Sequence, residues 1–331
     1  MATGTTTSSQ ITSANQNFLS LPLLSRAYPH FVHALFGQVR DIPRNKTENV
    51  RFRKYASLSA ATTALTEGTT PSGSQASITD ITGTVLQYGD FLTLTDYLDM
   101  TTIDPYKVEL AEVLGDEMGD TLDQITRNTL IAGTTIQYAS TSTSRATVAA
   151  GMILTGDEVR KAVRTLQGNN AKPITEMVDP ADGFNTSPIM PSYVGIISEK
   201  THYDLKHDPD WVKVAEYADP EERIHEAEVG SLDEVRFILA AANQTTGSGA
   251  GVAWGAGAGG IDVHLTVILG KEAYGLTRIA GNAVEVITKE LGTGGTVDPL
   301  NQRSTMGWKA TFLVKRLQET FMLRVEHAVS N

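Results

Sequence analysis

Cysteine is absent from this chain of 331 residues. That excludes disulfides, thiolate metal sites and cysteine nucleophiles together, and it is compatible with a reducing cytoplasm. Long apolar runs are missing too. None approaches the roughly 18 residues of a membrane-spanning helix, so no transmembrane segment is expected. The first residues, MATGTTTSSQITS, have neither a basic stretch nor an apolar one, which reads against a secretory leader. Positive charge is in short supply, with 27 Lys and Arg against 38 Asp and Glu and a net charge of −11. The imbalance is uneven. Residues 1–54 hold seven bases against Asp41 and Glu48, a net of +5, while the other 277 residues hold 20 bases and 36 acids, a net of −16. A basic arm on an acidic body suits either nucleic-acid contact or pairing with an acidic neighbour. The acidic body speaks against tight DNA binding, which depends on phosphate neutralisation. The arm is therefore expected to touch neighbouring copies of the chain.

The chain is long enough for one large or two modest cores. Residues 1–17 are rich in Ser, Thr, Asn and Gln and read as mobile. Residues 18–45 carry apolar clusters broken by Pro22, Pro29 and Pro43, which predicts an extended arm with one short helix rather than a core element. Residues 47–55 alternate, with Val50 and Phe52 opposite Arg51 and Arg53, and residues 84–94 alternate again through Leu86, Tyr88, Leu92 and Leu94. Between them, 12 of the 26 residues from Ser59 to Thr84 are Ser or Thr, and only Glu67 and Asp80 are charged. A structureless loop of that length is unusual in a compact domain. The flanking strands and the Gly68, Pro71, Gly73 tip predict a long projecting hairpin, with a disordered surface loop as the alternative. Two strands alone are marginal in water, so the hairpin needs a partner surface.

Residues 104–132 predict the main helix. Asp104 suits the N-cap and Pro105 the first turn. Leu110, Leu114, Met118, Leu122, Ile125 and Thr129 form one stripe, and Glu109, Glu112, Asp116, Glu117, Asp120 and Asp123 decorate what should be a wet face. At about 1.5 Å per residue the helix spans roughly 40 Å. A second helix is predicted over 155–169, a buried strand over 193–197, a short helix over 198–206, and strands over 234–242 and 263–269. From Asp298 to Met306 a polar loop opens into two alternating runs, around Trp308–Val314 and Phe321–Glu326, which read as half-buried strands. Without regular strand–helix alternation the class is α+β.

Chemical motifs are weak. The run GSGAGVAWGAGAGG is followed by the strand-like VHLTVIL, whereas a dinucleotide site needs a helix there. His202 and His207 lie five apart near Asp204, Asp208 and Asp210, which is not helical ligand spacing, and they read as a solvated, partly capping cluster. His30 and His33 share a face of the arm helix and read as surface or interface groups. There is no nucleophile-elbow motif. No catalytic residue, metal or cofactor is expected.

Five segments carry a resemblance: FGQVRDIPRNKTENVRFRKYASLSAATTALTEGTTP (36–71), QYGDFLTLTDYLD (87–99), TLDQITRNTLIAG (121–133), LGKEAYG (269–275) and DPLNQRSTMGWKATF (298–312). Together, over residues 26–329, the chain resembles major capsid proteins of tailed double-stranded DNA phages, with the Hong Kong 97-like fold in its N-four-type branch. The resemblance implies an N-terminal arm at 1–45, an extended loop at 46–95 and a peripheral domain with spine helix at 96–150. It further implies an axial domain at 151–297 and returning strands at 298–331. It implies self-assembly as hexamers and pentamers into an icosahedral shell around DNA, with portal and scaffolding or decoration proteins as partners, in a virion assembled in the host cytoplasm. An encapsulin-like compartment enclosing a cargo enzyme is the runner-up, and a cytosolic enzyme the third reading. The contacts expected between subunits are Arg51, Arg53 and Lys54 at the loop base, Glu67 near its tip, and Asp298, Asn301, Arg303 and Trp308. For Trp308 the alternative is core packing, and for Arg51 and Arg53 a solvated strand face.

Some members of the fold join subunits by an isopeptide bond from a lysine in the extended loop. Residues 55–106 contain no lysine. Assembled particles boiled in denaturant should therefore run as one band at the 35.6 kDa of a single chain. A ladder of covalent multimers would contradict this.

Overall fold

The computed structural model describes residues 31–43, 47–55, 73–101, 106–176, 188–217, 223–240 apart from 226, 246–247, 257–279, 284–293 and 298–330, with short pieces between 23 and 26 and between 58 and 70. The first half of the chain holds β1 (Gln38–Ile42), β2 (Asn49–Tyr55), β3 (Ile78–Thr84), β4 (Leu86–Thr95), α1 (Asp96–Thr101), α2 (Tyr106–Ile131), β5 (Ile136–Tyr138) and α3 (Gly156–Gly168). Then come β6 (Ile174–Glu176), β7 (Pro188–Ile197), α4 (Glu199–Leu205), β8 (Val212–Lys213), β9 (Glu228–Leu232), β10 (Val235–Leu239) and β11 (Thr246–Gly247). The last elements are β12 (Val263–Leu269), β13 (Tyr274–Ile279), β14 (Val284–Lys289), β15 (Arg303–Arg316) and β16 (Met322–His327). The α+β class holds.

β15 organises one sheet. One edge pairs β4 from Arg303↔Thr95 to Phe312↔Leu86. The other edge takes β14 between Thr305 and Ala310, then β13 between Leu313 and Arg316, and β13 passes the ladder to a parallel β1. Its alternation turns Met306, Trp308 and Ala310 to α2, where they meet Ala111, Leu114, Met118 and Leu122. The small residues on this helix face permit a close approach: a Cβ at Gly115 would lie 2.3 Å from the Leu23 carbonyl oxygen. The buried face is rotated from the expected stripe toward Ala111, Gly115, Gly119 and Asp123, and Leu110, Ile125 and Thr129 are only half-buried. Asp104 and Pro105 lie outside the described residues.

The larger sheet runs β5-β16-β12-β7-β10-β9-β8, with β6 and β11 attached. All seven residues of VHLTVIL in β12 are buried, as an apolar run in a sheet covered on both faces requires. α3 lays Val159, Ala162, Val163 and Leu166 on one face, against Tyr193, Phe237, Leu323 and Val325. The other face meets Val32, Phe36, Leu130 and Tyr274.

Four expectations need correction. The 47–55 strand pairs with β3 from Asn49↔Thr84 to Tyr55↔Ile78, and not with 84–94. β4 is instead claimed by the ten-residue ladder of β15, which lets Tyr88, Leu92 and Leu94 turn inward. The last strand is not half-buried: every residue of β16 is buried, because it lies between β5 and β12. Its polar members are paired, as buried charges must be. Glu326 accepts from Arg145 Nε at 2.7 Å, and Arg324 Nε lies 2.9 Å from the same carboxylate. The polar loop is shorter than predicted, since β15 already begins at Arg303.

The fourth correction concerns the arm and the acids of α2. Leu23, Val32 and Phe36 are core residues, and Asp123 and His33 are completely buried. A segment broken by prolines cannot satisfy its backbone donors regularly, so a side chain does it. Asp123 Oδ1 accepts from the Val32 and His33 amides at 3.0 and 2.7 Å, and Oδ2 accepts from His33 Nδ1 at 2.7 Å. Tyr274 donates its hydroxyl to the His33 carbonyl and accepts from the Phe36 amide at 3.1 Å. Burial pushes the Tyr274 phenol well above its ordinary pKa. Asp123→Ala would orphan three donors in a dry site and should cost about 3–5 kcal/mol of stability by urea unfolding. Asp123→Asn, which keeps an acceptor, should cost less.

Candidate inter-subunit surfaces

Alternation places the first surface at the hairpin base. Val50 and Phe52 point inward and pack with Ile42, Ile81, Leu313 and Leu317. Arg51 and Arg53 therefore point outward, each exposed, and straddle Asp80 at 3.3 and 3.4 Å. Such exposed pairs contribute little on their own. Arg40, in β1, donates from Nη1 to the Arg51 carbonyl at 2.8 Å. With Lys54 and Gln38 these arginines line a cleft of about 410 Å³ floored by Phe52 and Ile81. The structure thus gathers Arg51, Arg53 and Lys54 in one cationic cleft. It adds Arg40, which the sequence marked only as one base of the arm. Glu67 sits apart, exposed in the turn with Gly68, whose φ of +76° suits glycine. Near it Leu65 is 78% exposed, and Tyr55, Leu58 and Ile78 are exposed as well.

The second surface is the outer face of β4, β15 and β14, opposite α2. Cross-strand rows there are Phe91–Gly307–Ile287, Gly89–Lys309–Glu285 and Thr93–Thr305–Lys289. Phe91 is 65% exposed although it lies midway along the β4–β15 ladder. Gly307 makes room for it, since a Cβ there would come 2.6 Å from Phe91 Cβ. A groove of about 750 Å³ results, with Phe91, Ile287, Lys289, Asp298 and Arg303 among its walls. Asp298 and Asn301 shape its end. Asp298 Oδ2 accepts from the Arg303 amide at 2.8 Å, its carbonyl accepts from the Asn301 amide at 3.1 Å, and Asn301 holds φ at +53°, a conformation asparagine tolerates. Trp308 differs from the other residues expected at contacts. It is 3% exposed and donates from Nε1 to Glu117 Oε2 at 2.6 Å, so its indole is spent inside the subunit. A half-buried Glu117 also departs from the wet-face expectation for the acids of α2.

The remaining motifs resolve into structure. His207 donates from Nδ1 to the Tyr203 carbonyl at 2.9 Å, and His202 packs against Trp211. Asp208 caps α3 through the Gly156 amide at 2.8 Å. Among the described residues no group of three or more His, Cys, Asp or Glu stands together to hold a metal, and no helix is long and apolar enough to cross a membrane. His30 and most of the Gly-rich run lie outside the described residues.

The fold recurs in solved structures. The capsid of cyanophage P-SCSP1u matches over 91% of this chain and 89% of its own, with TM-score 0.62 at 15% identity. The capsid of Ralstonia phage GP4 matches over 89% and 88%, with TM-score 0.61 at 13% identity. This chain has the fold of a phage capsid protein. The capsid of cyanophage Pam1 extends the agreement to 93% of both chains, with TM-score 0.58 at 15% identity. No family model matches the sequence, and no curated protein does.

On this capsid fold, sequence reasoning missed Phe91. The signal was present: it is the large apolar residue on the polar side of the 84–94 alternation. Phe91→Ser should change unfolding free energy by less than about 0.5 kcal/mol. Gly307→Val, which drives a branched side chain into Phe91 and the β4 backbone, should cost about 1–3 kcal/mol. Denaturant melts of the two variants check both.

Proposed function

We propose that the chain is the major capsid protein of a tailed double-stranded DNA phage, in the N-four-type branch of the Hong Kong 97-like fold. Copies assemble as hexamers and pentamers into an icosahedral shell around the genome, with portal and scaffolding or decoration proteins as further partners. The work is structural and requires no catalytic residue. One observation carries the reading: the likeness to phage capsid chains extends over about nine-tenths of both partners, not over one shared layer.

The parts take roles on this reading. Residues 1–45 are the arm, 46–95 the extended loop, 96–150 the peripheral domain with α2 as spine, 151–297 the axial domain, and 298–331 the returning strands. β13 and β14 belong by pairing to the β15 sheet, so the peripheral sheet draws strands from within 151–297. The hairpin of one copy lies on the outer groove of the next. Leu65 and Leu58 cover Phe91 and Ile287, and Glu67, the sole charge between 56 and 77, meets the Lys289, Arg303 and Lys309 rim. Asp298 and Asn301 set the end of that contact. The cationic cleft of Arg40, Arg51, Arg53 and Lys54 takes carboxylates of a neighbouring body, and the surplus of acid keeps the inner wall from gripping DNA.

Electron microscopy with light scattering on purified protein tests this. Hollow particles of uniform size, or free hexamers and pentamers, are the expected result. Phe91→Asp and Leu65→Asp should melt as the unaltered chain does and fail to assemble. A chain that stays monomeric across salt and concentration, even when co-expressed with a candidate scaffolding protein, would overturn the reading.

A further inference from the structure

His264 and His327 face each other directly across the β12–β16 ladder. Their rings stack with centroids 6.3 Å apart and planes at 28°, and the residues are 1% and 0% exposed. His327 uses both nitrogens: Nδ1 donates to the Ala328 carbonyl at 2.8 Å, and Nε2 lies 3.0 Å from the Thr266 hydroxyl. With Nδ1 the donor, Nε2 accepts, which fixes the neutral tautomer. His264 Nδ1 lies 3.3 Å from Ser198 Oγ, and Ser198 caps α4 by accepting from the Thr201 amide. The rings thus sit where the C-terminal strand, β12 and the start of α4 converge.

The charged neighbours of this corner are few. α4 contributes Lys200 and Asp204, and the residue before β12 is Asp262. The Asp204 carboxylate is already engaged, accepting from the Ser330 amide at 3.0 Å and from the Ser330 hydroxyl. In register with Glu326 of β16 stands Tyr138 of β5. Glu326, with its arginines, alternates to the opposite face of the sheet from His327.

We propose that His264 and His327 form an acid-operated latch: the neutral rings hold β16 and α4 to β12, and protonation of either ring opens that corner. A proton on Nε2 of His327 replaces an acceptor by a second donor. Two charged rings would repel across the stack, in a dry site where the Asp204 carboxylate is already held by Ser330. Burial pushes His327 down to about 4, with the Ala328 hydrogen bond opposing and His264 pressing further down. Burial and Lys200 lower His264, against Asp262 and Asp204. In the unfolded chain both imidazoles take protons near the ordinary value of about 6.5. Their contribution is therefore whole above about pH 6.5 and is lost as pH falls from there toward about 4.

Thermal melts of the full chain at about pH 7.5 and about pH 5 test the latch, comparing the unaltered chain with the His264→Gln/His327→Gln double variant. The unaltered chain should lose about 5 °C more than the variant over that interval. Hydrogen exchange at the lower pH should lose protection first in β16 and α4. Parallel losses of Tm in the two proteins would overturn the proposal. So would an imidazole NMR titration of the unaltered chain in which both rings protonate near pH 6.5 with the fold intact. That titration decides the matter alone if the double variant does not fold.

Discussion

Asp123 carries a carboxylate to a point with no access to water, and much of the architecture follows from what it must accept there. Its two oxygens take the amides of Val32 and His33 and the imidazole of His33. An irregular arm is thereby fixed to α2. Tyr274 then closes the joint from β13 by bonding His33 and Phe36. Phe36 lies two residues before the parallel pairing of β1 with β13, which starts at Gln38. The joint therefore sets where β1 lies, and β1 in turn supplies Arg40 and Ile42 to the hairpin base. A buried hydrogen-bonded anion is costly to bring in and costlier to leave half-satisfied. That asymmetry makes the arm's position specific rather than merely apolar.

β15 distributes the same order across the molecule. Its inner face packs on the helix that holds Asp123, and its outer face carries the Phe91 groove. Its last residues reach β13 and so return to the Tyr274 joint. The hairpin base and the groove are thus positioned by one continuous strand and one helix. Among the described residues the tip of the hairpin is held by neither: the apolar cluster at the base takes in Val50, Phe52, Ile81 and Val85, and Tyr55, Leu58 and Leu65 remain exposed.

Local pattern made much of this legible. The period-2 runs at 47–55 and around Trp308–Val314, the stripe of α2 and the run VHLTVIL gave their elements because one residue spacing dominates each. Pairing was less legible. Strand β4 alternates equally well whether its partner is β2 or β15, and only the apolar surface of α2 decides between them. The burial of β16 was hidden because Arg324 and Glu326 look like a solvent face until Arg145, far away in sequence, is placed beside them. Asp123 was hidden among five other acids of the helix. Nothing local distinguishes the one whose neighbours are backbone amides of the arm. At the surfaces, Arg51, Arg53 and Lys54 could be read from alternation, whereas Arg40 joined them through the β1 pairing. Trp308 was ambiguous in sequence because its strand has two faces, one packed on α2 and the other carrying the groove.

The distribution of exposed apolar groups bears on why such a chain would act in numbers. Scattered surface leucines need no explanation. Here, however, Tyr55, Leu58, Leu65 and Ile78 are strung along one hairpin, and Phe91 lies over a glycine in a separate trough. Neither feature can cover itself, because the hairpin is rooted at the β2–β3 base and the trough opens away from α2. Both are satisfied if each copy gives its hairpin and receives another's. Such a contact is heterologous, and repeated by rotation it closes into a ring. The charges are compatible with that geometry: cations gathered by β1 and β2 belong to the first 54 residues, and the acid surplus belongs to the rest. Complementary charges on different surfaces of one chain favour head-to-tail association over self-complementary pairing. A ring-building subunit can thereby have specificity in its encounters and still draw most of its cohesion from apolar cover.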